Sequence, residues 1–215
     1  MPKNPSVGAK RTYAQYCGLA RALDVVGDRW SLLIVRELLV GPARYGQLQA
    51  GLPGISTNLL AERLRELEEA GVVERQLDAQ SNGVAYTLTA WGSELRTAIS
   101  GLVTWSTPLM VTGPGRDHFQ PHWLVVALES LIDTKRRTTC ATVGVQVDGT
   151  ILTVRAAPDG VRVTLNDDPH PPTVLRADGM VILGLASGML TVEEAIAAGD
   201  LSGNRKDLAS VFRAN

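Results

Sequence analysis

Residues 41–71, GPARYGQLQAGLPGISTNLLAERLRELEEAG, decide the fold of the first half of this 215-residue chain. The stretch predicts two short helices that are joined by a Pro/Gly turn. Ser56 is a favourable N-cap for the second helix, and Gly71 is a typical residue just beyond a helix C-terminus. Between them, leucines at positions i, i+4 and i+7 form one buried stripe, which consists of Leu60, Leu64 and Leu67.

The second helix also has a polar outer face. With a step of about 100° per residue, the leucine stripe leaves Asn58, Glu62 and Arg65 on the opposite side. A helix with a packed back and a polar face near its N-terminus is what a helix-turn-helix places in the major groove of DNA. A helical hairpin inside an ordinary core would carry the same stripe, so this stretch alone leaves both interpretations open.

A β-hairpin is predicted directly after the helix pair. Residues 72–77 and 84–88 alternate apolar and polar side chains, and Asn82-Gly83 is a hairpin turn signal. A helix-turn-helix followed by a hairpin is a winged helix. In that fold Gln80, Ser81 and Asn82 of the wing tip can donate to phosphate or reach a minor groove. The alternative for this loop is a solvated turn without a partner.

Four spaced motifs carry a family resemblance: CGLARALDVVGDRW (17–30), LLIVREL (32–38), GLPGIS (51–56) and LRELEEAG (64–71). Over about residues 15–110 the chain resembles the HxlR family of bacterial winged-helix transcription regulators. The family pattern has Gly-Gly-Lys-Trp where this chain has Gly27-Asp28-Arg29-Trp30, so the cation is kept and a carboxylate is added. The resemblance implies a regulator that binds a double-stranded, near-palindromic DNA operator as a homodimer.

The DNA contacts expected from this interpretation fall into two groups. The base-reading group, which also leads the helix into the groove, is Ser56, Thr57, Asn58 and Arg65, and the backbone group is Arg29, Arg44, Arg63 and the wing residues Gln80, Ser81 and Asn82. Overall charge does not support the interpretation, because residues 1–110 carry 11 Lys and Arg against 10 Asp and Glu. Three of those acids, Glu66, Glu68 and Glu69, lie at the C-terminal end of the recognition helix.

Residues 89–110 predict a helix with more apolar surface than a small winged helix needs for its core. Thr89 is its N-cap, and the resembled family pairs such terminal helices across a two-fold axis. The predicted dimer interface is Trp91, Leu95, Ile99, Leu102 and Trp105. The alternative is that the two tryptophans only cover the core of one chain.

The second half has a different pattern, and Pro108 with the cluster Gly113-Pro114-Gly115 marks a boundary near 110–118. We therefore expect two domains, residues 1–112 and 118–215. The second is predicted to be α+β: a helix over 122–135, three antiparallel strands over 139–147, 151–157 and 161–165, and helices around 180–186, 193–198 and 206–213. Asp148-Gly149 and Asp159-Gly160 are the expected hairpin turns, and helices cover one face of the antiparallel sheet.

The last 40 residues carry the motifs MVILGLASG (180–188), TVEEAI (191–196) and GDL (199–201). On these the half from about 120 onward resembles the sterol-carrier-protein-type lipid-binding domain. The resemblance implies a small apolar ligand held between sheet and helices, with a candidate lining of Trp123, Val181, Leu183, Leu185, Met189 and Leu190. The alternative is that these are core residues of a domain without a ligand.

Enzymes, metal sites and membrane spans are not indicated. The three histidines lack partners in a ligand pattern, and no nucleophile, phosphate-loop or dinucleotide motif occurs, so we predict neither catalysis nor a cofactor. Two cysteines far apart and no long apolar run favour a cytoplasmic protein. The other function class left open is a lipid or metabolite carrier whose helix-turn-helix serves protein contacts.

Cys17 precedes the first core helix and lies upstream of Arg21. A helix N-terminus and a nearby cation favour a thiolate. In part of the resembled family a cysteine at this position senses oxidants or electrophiles, so the resemblance implies a thiol-based redox sensor. The alternative is a small side chain that packs against the dimer helix.

Overall fold

The computed structural model describes residues 12–77, 83–133, 140–165 and 171–212. Contacts within the chain divide it into two compact units, Met1–Ile99 and Ser100–Asn215. This division falls inside a helix, Leu95–Ser106. The division into domains 1–112 and 118–215 stays a prediction.

The first unit consists of short helices around a small sheet. Its elements are α1 (Gly18–Val26), α2 (Ser31–Val40), β1 (Ala43–Arg44), α3 (Tyr45–Gly51), α4 (Thr57–Glu69), β2 (Val73–Leu77), β3 (Val84–Leu88), α5 (Ala90–Ser93) and the start of α6 (Leu95–Ser106). The strands pair antiparallel in the order β1-β3-β2, with Tyr86 opposite both Ala43 and Arg75. This is a winged helix-turn-helix, as the sequence predicts, with a third strand, β1, that local periodicity did not reveal.

Helix α4 forms for the predicted reasons. The Ser56 hydroxyl accepts a hydrogen bond from the Leu59 N–H at 3.3 Å, which satisfies one of the free donors of the first turn. Leu60, Leu64 and Leu67 are almost fully buried. The helix ends where Gly71 adopts a φ of +76°, a left-handed conformation that glycine enters without steric cost.

The long helix predicted from Thr89 onward is divided in two. The Thr89 hydroxyl accepts the Gly92 N–H at 3.0 Å and so caps α5 as expected. At Glu94 the hydrogen bonds change from the i→i+4 to the i→i+3 pattern: its N–H bonds to the Trp91 carbonyl, and its own carbonyl accepts the Thr97 N–H. The tightened turn separates α5 from α6.

The second unit continues α6 and adds a five-stranded sheet with helices. Short 3-10 turns occupy Thr107–Met110 and Pro121–Trp123, and the remaining elements are α7 (Leu124–Leu131), β4 (Ala141–Val147), β5 (Thr150–Ala157), β6 (Gly160–Leu165), β7 (Val174–Arg176), α8 (Gly179–Ala186), α9 (Val192–Ala197), β8 (Asp200–Ser202) and α10 (Arg205–Val211). Helix α7 ends at Leu131 rather than at the predicted Lys135, because Ile132 adopts extended backbone.

The second unit is α+β and its three predicted strands pair antiparallel as β6-β5-β4, but the sheet as a whole is mixed rather than antiparallel. The strand order is β6-β5-β4-β7-β8, and β7 pairs parallel with β4, with Val145 opposite Leu175. The chain passes from the edge strand β6 to the far side of β4, so β7 enters the sheet in the direction of β4. The resulting mixed sheet contains two three-residue strands, β7 and β8, which are too short for a periodic sequence signal.

The core of this unit and its first hairpin match the sequence pattern. Val143, Val145, Leu152 and Val154 lie on one face of the central strands and have no exposed surface. Asp148 and Gly149 both have positive φ, +48° and +78°, as a two-residue hairpin turn of the primed type requires. In the part of the chain that the structure describes, no helix is long and apolar enough to cross a bilayer.

Candidate nucleic-acid interface

The outer face of α4 presents the polar residues that the sequence places there. Asn58, Glu62 and Arg65 are exposed, on the side of the helix opposite its buried leucines. The Arg65 Nε lies 3.8 Å from the Glu69 Oε1, and because both side chains are largely exposed this ion pair is weak. Asn58 and Arg65 are therefore free to contact a partner without breaking a buried interaction.

The first turn of α4 is held by a residue that the sequence analysis missed. The Tyr45 hydroxyl donates a hydrogen bond to the Thr57 carbonyl at 2.6 Å, which ties the start of α3 to the start of α4. Ser56 and Thr57 are exposed beside this bond. A tyrosine at the first position of a helix gives no periodic signal, so only the three-dimensional structure reveals its positioning role.

Arg63 is held differently from Arg65. Its guanidinium donates to the Asp28 carboxylate at 2.7 Å and also to Glu66, and its side chain is only 16% exposed. Asp28 is the carboxylate that stands where the resembled family has glycine. Two carboxylates therefore compete with DNA phosphate for the Arg63 guanidinium. The contact of Arg63 with the DNA backbone stays a prediction.

The other two arginines of the backbone group are exposed. The Arg29 guanidinium lies 5.8 Å from the centre of the Trp30 ring. Arg44 belongs to β1, opposite Ala85 of the wing strand, and its backbone N–H donates to the Gln47 side chain at 2.7 Å. Arg44 thus lies where the wing strands meet the start of α3.

The wing strands are described but their tip is not. Gln80, Ser81 and Asn82 lie outside the described residues. Below the tip, Arg75 pairs with Glu68 at 2.9 Å and stacks 5.6 Å from the centre of the Tyr86 ring. This pairing joins the base of the wing to the C-terminal end of α4.

A cleft of about 540 Å³ adjoins α1 and α4 in the first unit. Asp24 anchors one wall, since its carboxylate accepts the Tyr13 N–H at 2.9 Å and the Thr12 hydroxyl at 3.0 Å. The Tyr13 N–H is also the main cause of the lowered pKa of Asp24. The segment before α1 is therefore attached to the helix. The whole lining is Thr12, Tyr13, Leu23, Asp24, Gly27, Asp28, Arg63 and Glu66.

The predicted dimer residues differ in exposure. Trp91 and Leu102 are both 48% exposed and Trp105 is 74% exposed, whereas Leu95 is half-buried and Ile99 is buried within the chain. Helix α1 adds an apolar surface that the sequence analysis missed. Leu19 and Leu23 are exposed on α1 at the helical spacing i and i+4, which was the available signal, and Tyr16, which precedes the helix, is exposed as well.

Cys17 is the N-cap residue of α1 and is exposed. The backbone N–H groups of Ala20 and then Leu19 lower the pKa of its thiol, because they point at the sulfur and stabilise a negative charge there. Arg21, which the sequence analysis invoked for this effect, lies 3.6 Å from Asp24 instead.

The candidate lining in the second unit is mostly half-buried. Trp123, Val181, Leu183 and Leu190 belong to this class, Leu185 is buried, and Met189 is 45% exposed. Leu190 packs over Gly184, where an added Cβ would lie 2.9 Å from the leucine Cδ1. The ring of Phe119 covers Gly179 in the same way and meets Trp123 edge-on at 6.5 Å. Among the described residues, no group of three or more His, Cys, Asp and Glu is placed to bind a metal.

Known proteins match the first part of the chain. The HxlR-like helix-turn-helix family profile matches residues 25–112. The Bacillus subtilis HTH-type transcriptional regulators YvaP and YodB are both 38% identical to this chain, over 82% and 77% of their own lengths. The chain belongs to the HxlR-like helix-turn-helix family. An HTH-type regulator of Synechocystis is 41% identical, but the match spans only 60% of its length and 37% of this chain.

HxlR proteins are DNA-binding transcriptional regulators, so the prediction of a regulator rather than an enzyme is confirmed at the level of the family. Solved structures match the same region. The reduced form of YodB is 35% identical and covers 46% of this chain and 99% of its own, with a TM-score of 0.40. The redox regulator HypR in its oxidized form is 29% identical, with a TM-score of 0.40. The second unit is a mixed five-stranded sheet with helices, and its likeness to sterol carriers stays a prediction.

Proposed function

We propose that the chain acts as a homodimer that binds a near-palindromic operator, with α4 of each protomer in a major groove. Ser56, Thr57, Asn58 and Arg65 are the candidate base-reading residues. The observation that carries the proposal is the outer face of α4. Asn58 and Arg65 are exposed there, on the side of the helix opposite its three buried leucines. The core supports the back of such a helix, and its polar outer face is the side that would meet DNA.

The dimensions of α4 suit this role. Asn58 and Arg65 are seven residues apart, which is about 10 Å along a helix axis and so about three base-pair steps. Asparagine pairs with adenine and arginine with guanine through two hydrogen bonds each in the major groove. The two side chains can thus read different base pairs of one half-site.

The proposed backbone contacts come from Arg29, Arg44, Arg63 and the wing. Because the first 110 residues carry nearly balanced charge, the cations must act locally and a dimer must double their number. Binding should weaken steeply with salt, with a slope set by the number of neutralised phosphates. A carrier protein whose helix-turn-helix only makes protein contacts would form no specific DNA complex.

Selection of bound sites from a random DNA library, followed by salt titration, tests the proposal. Asn58→Ala and Arg65→Ala should each weaken binding to the selected site by about 1–3 kcal/mol. Arg44→Ala should weaken specific and non-specific binding alike and reduce the salt slope by about one. Full operator affinity in the Asn58/Arg65 double variant, or no selected site for the wild type, would refute it.

The dimer is proposed from exposed apolar side chains. Three large apolar side chains from the same region of the chain are exposed: Trp91, Leu102 and Trp105. A second copy of the chain would cover this surface. Light scattering at micromolar concentration should give twice the chain mass. Trp105→Asp should shift the distribution to monomer and weaken operator binding. A monomeric wild type would contradict the dimer.

Two forms of regulation are proposed beside DNA binding. A thiolate at Cys17 is supported by its exposure and by the backbone N–H groups that lower its pKa. A small apolar ligand in the second unit is supported by the half-buried apolar side chains of Val181, Leu183 and Leu190 around α8. Such a ligand changes DNA affinity only if it binds the DNA-competent and incompetent states with different affinity. Both are tested below.

A further inference from the structure

Four glutamates lie on α4, and three of them are paired with a cation. Glu66 binds Arg63, Glu68 pairs with Arg75 at 2.9 Å, and Glu69 lies 3.8 Å from Arg65. Glu62 differs, since its carboxylate forms no hydrogen bond or ion pair with any residue that the structure describes. It is exposed, one helical turn after Asn58 and three residues before Arg65, at the centre of the outer face.

An unpaired carboxylate at this point has a cost for a protein that binds DNA. If α4 enters the major groove, Glu62 approaches the base edges between Asn58 and Arg65, with the phosphate backbones on both sides. Like charges repel in that setting, so the residue weakens binding to every sequence unless something compensates it. A hydrogen bond from a base edge is the compensation that the groove offers.

The chemistry of the carboxylate restricts which base can provide it. An ionised glutamate only accepts hydrogen bonds. In the major groove the donors are the cytosine N4 and adenine N6 amino groups, while guanine and thymine present acceptors at the corresponding edge. Adenine also presents its N7 acceptor next to the donor, which repels a carboxylate, so cytosine is the best partner.

We propose that Glu62 is a specificity-determining residue that requires cytosine, with adenine second, at one base pair of each operator half-site. The inference rests on the proposed function, because it needs α4 to be the helix that enters the groove. In this role Glu62 acts mainly by rejection: it penalises guanine and thymine at its position and lowers affinity for non-specific DNA. Asn58 and Arg65, in contrast, gain affinity from the bases they contact.

This mechanism predicts effects of opposite sign when the charge is removed from the full-length chain. Glu62→Gln keeps the size and helix propensity of the side chain but can both donate and accept, which suits adenine N6 and N7. The selected base at the Glu62 position should change from cytosine to adenine, with a change in preference of about tenfold. Binding to an unrelated duplex at low salt should tighten about twofold or more, because one repulsive charge is lost.

Glu94→Gln is the matched control, since it removes the same charge from an exposed residue of the first unit that lies outside α4 and pairs with none of the base-reading residues. It should leave the base preference at every position unchanged. Unchanged base preferences in Glu62→Gln, with a normal wild-type site, would overturn the inference while leaving the proposed function intact. Weaker non-specific binding by Glu62→Gln would also overturn it. If the wild type itself selects no site, the proposed function fails and this inference fails with it.

Discussion

Helices α4 and α8 belong to different units of the chain, and their surfaces differ. Helix α4 buries three leucines on one side and exposes Asn58, Glu62 and Arg65 on the other. Helix α8, with the sequence GMVILGLA, has no charged or polar side chain at all, and its residues are buried or half-buried all around. Both were predicted as helices from the sequence, but only one of them indicates a partner.

The difference shows what a helix surface can reveal about function. A polar face backed by a packed core needs no further burial, so its side-chain chemistry describes what it meets: hydrogen-bond donors and acceptors spaced for base edges. An apolar helix shows only that its surface is more stable when it is buried away from water. Packing in a core, binding of a ligand or contact with a partner would each bury it. The side chains of α4 therefore suggest how the first unit would read DNA. The side chains of α8 define a packed fold but do not identify what, if anything, the second unit binds.

The largest expected effect is a difference in stability between variants on the buried side and variants on the exposed side of α4. Leu64→Ala should lower the free energy of unfolding of the first unit by about 3–5 kcal/mol, because it leaves a cavity among buried side chains. Asn58→Ala on the outer face should change it by less than about 0.5 kcal/mol. Chemical denaturation followed by tryptophan fluorescence measures both. Equal destabilisation by the two variants would mean that the outer face also belongs to a packed interface.

The second prediction asks whether α8 covers a ligand or only a core. An apolar compound that binds there should stabilise the second unit by about 2.7 kcal/mol at a hundredfold excess over its dissociation constant. Melting temperatures with a panel of lipids and aromatic metabolites, and with polar compounds as controls, test this. Leu183→Trp should fill the space and abolish the shift without preventing folding.

Operator affinity should then be measured with the best compound from that panel. If no apolar compound raises the melting temperature, and a chain lacking residues 118–215 keeps its operator affinity and dimerisation, the sensing role is wrong. The half-buried residues around α8 would then be core residues, which is the alternative that the sequence leaves open.

The third prediction concerns the cap of α9, which follows α8 directly. The Thr191 hydroxyl accepts the Glu194 N–H, and the Glu194 carboxylate accepts the Thr191 N–H at 2.8 Å and its hydroxyl at 2.9 Å. Thr191→Ala should cost about 1 kcal/mol of stability. Val192→Ala would not serve as a control because Val192 is buried, whereas the exposed Ser202→Ala should have little effect.

This cap should also depend on pH. The Thr191 N–H and hydroxyl lower the pKa of Glu194, so the folded state holds the carboxylate more strongly ionised than the unfolded state does. The stabilisation is therefore complete above the unfolded pKa of glutamate and is lost as the pH falls through the folded value. Thr191→Ala removes the hydroxyl but keeps the backbone N–H, so the difference between wild type and variant should shrink at acidic pH, and a constant difference would show that the bond between hydroxyl and carboxylate does not contribute.

The sequence predicted elements that carry a local pattern. The leucine stripe, the Ser56 cap and the Asp148-Gly149 turn are encoded within a few residues, and the structure has each of them. The outer face of α4 followed from the same periodicity. A rigid geometric rule relates a buried stripe to the opposite surface, so a candidate recognition face could be derived without coordinates.

The features that were missed depend on residues far apart in the chain. The parallel pairing of Val174–Arg176 with β4 joins segments about 30 residues apart, and a three-residue strand has no period to detect. The Asp28–Arg63 ion pair spans 35 residues, and the Tyr45–Thr57 hydrogen bond spans 12. Each depends on how helices pack against one another, which single-sequence periodicity does not specify.

The smallest expected effect concerns Cys17. Unlike the surfaces of α4 and α8, this site consists of one reactive sulfur atom that is exposed to water. Two backbone N–H groups of α1 lower its pKa, so at neutral pH more of the thiol is ionised than in a free cysteine. In a Cys140→Ser background, which removes the other exposed thiol, iodoacetamide should alkylate Cys17 several-fold faster at neutral pH than after denaturation. The rate should also reach its plateau at a lower pH in the folded chain.

Mild peroxide or quinone treatment should alter operator affinity in the Cys140→Ser chain and leave a Cys17→Ser, Cys140→Ser chain unaffected. Reactivity alone would not establish sensing, because an exposed thiolate reacts whether or not DNA binding depends on it. Fast alkylation with unchanged operator affinity would leave Cys17 as a helix cap with a reactive sulfur. If operator affinity changes when Cys17 is oxidised, the N-terminus of α1 is coupled to the recognition helix. The Asp28–Arg63 ion pair connects the turn between α1 and α2 to α4. Asp28→Asn removes this pair and should then weaken the coupling.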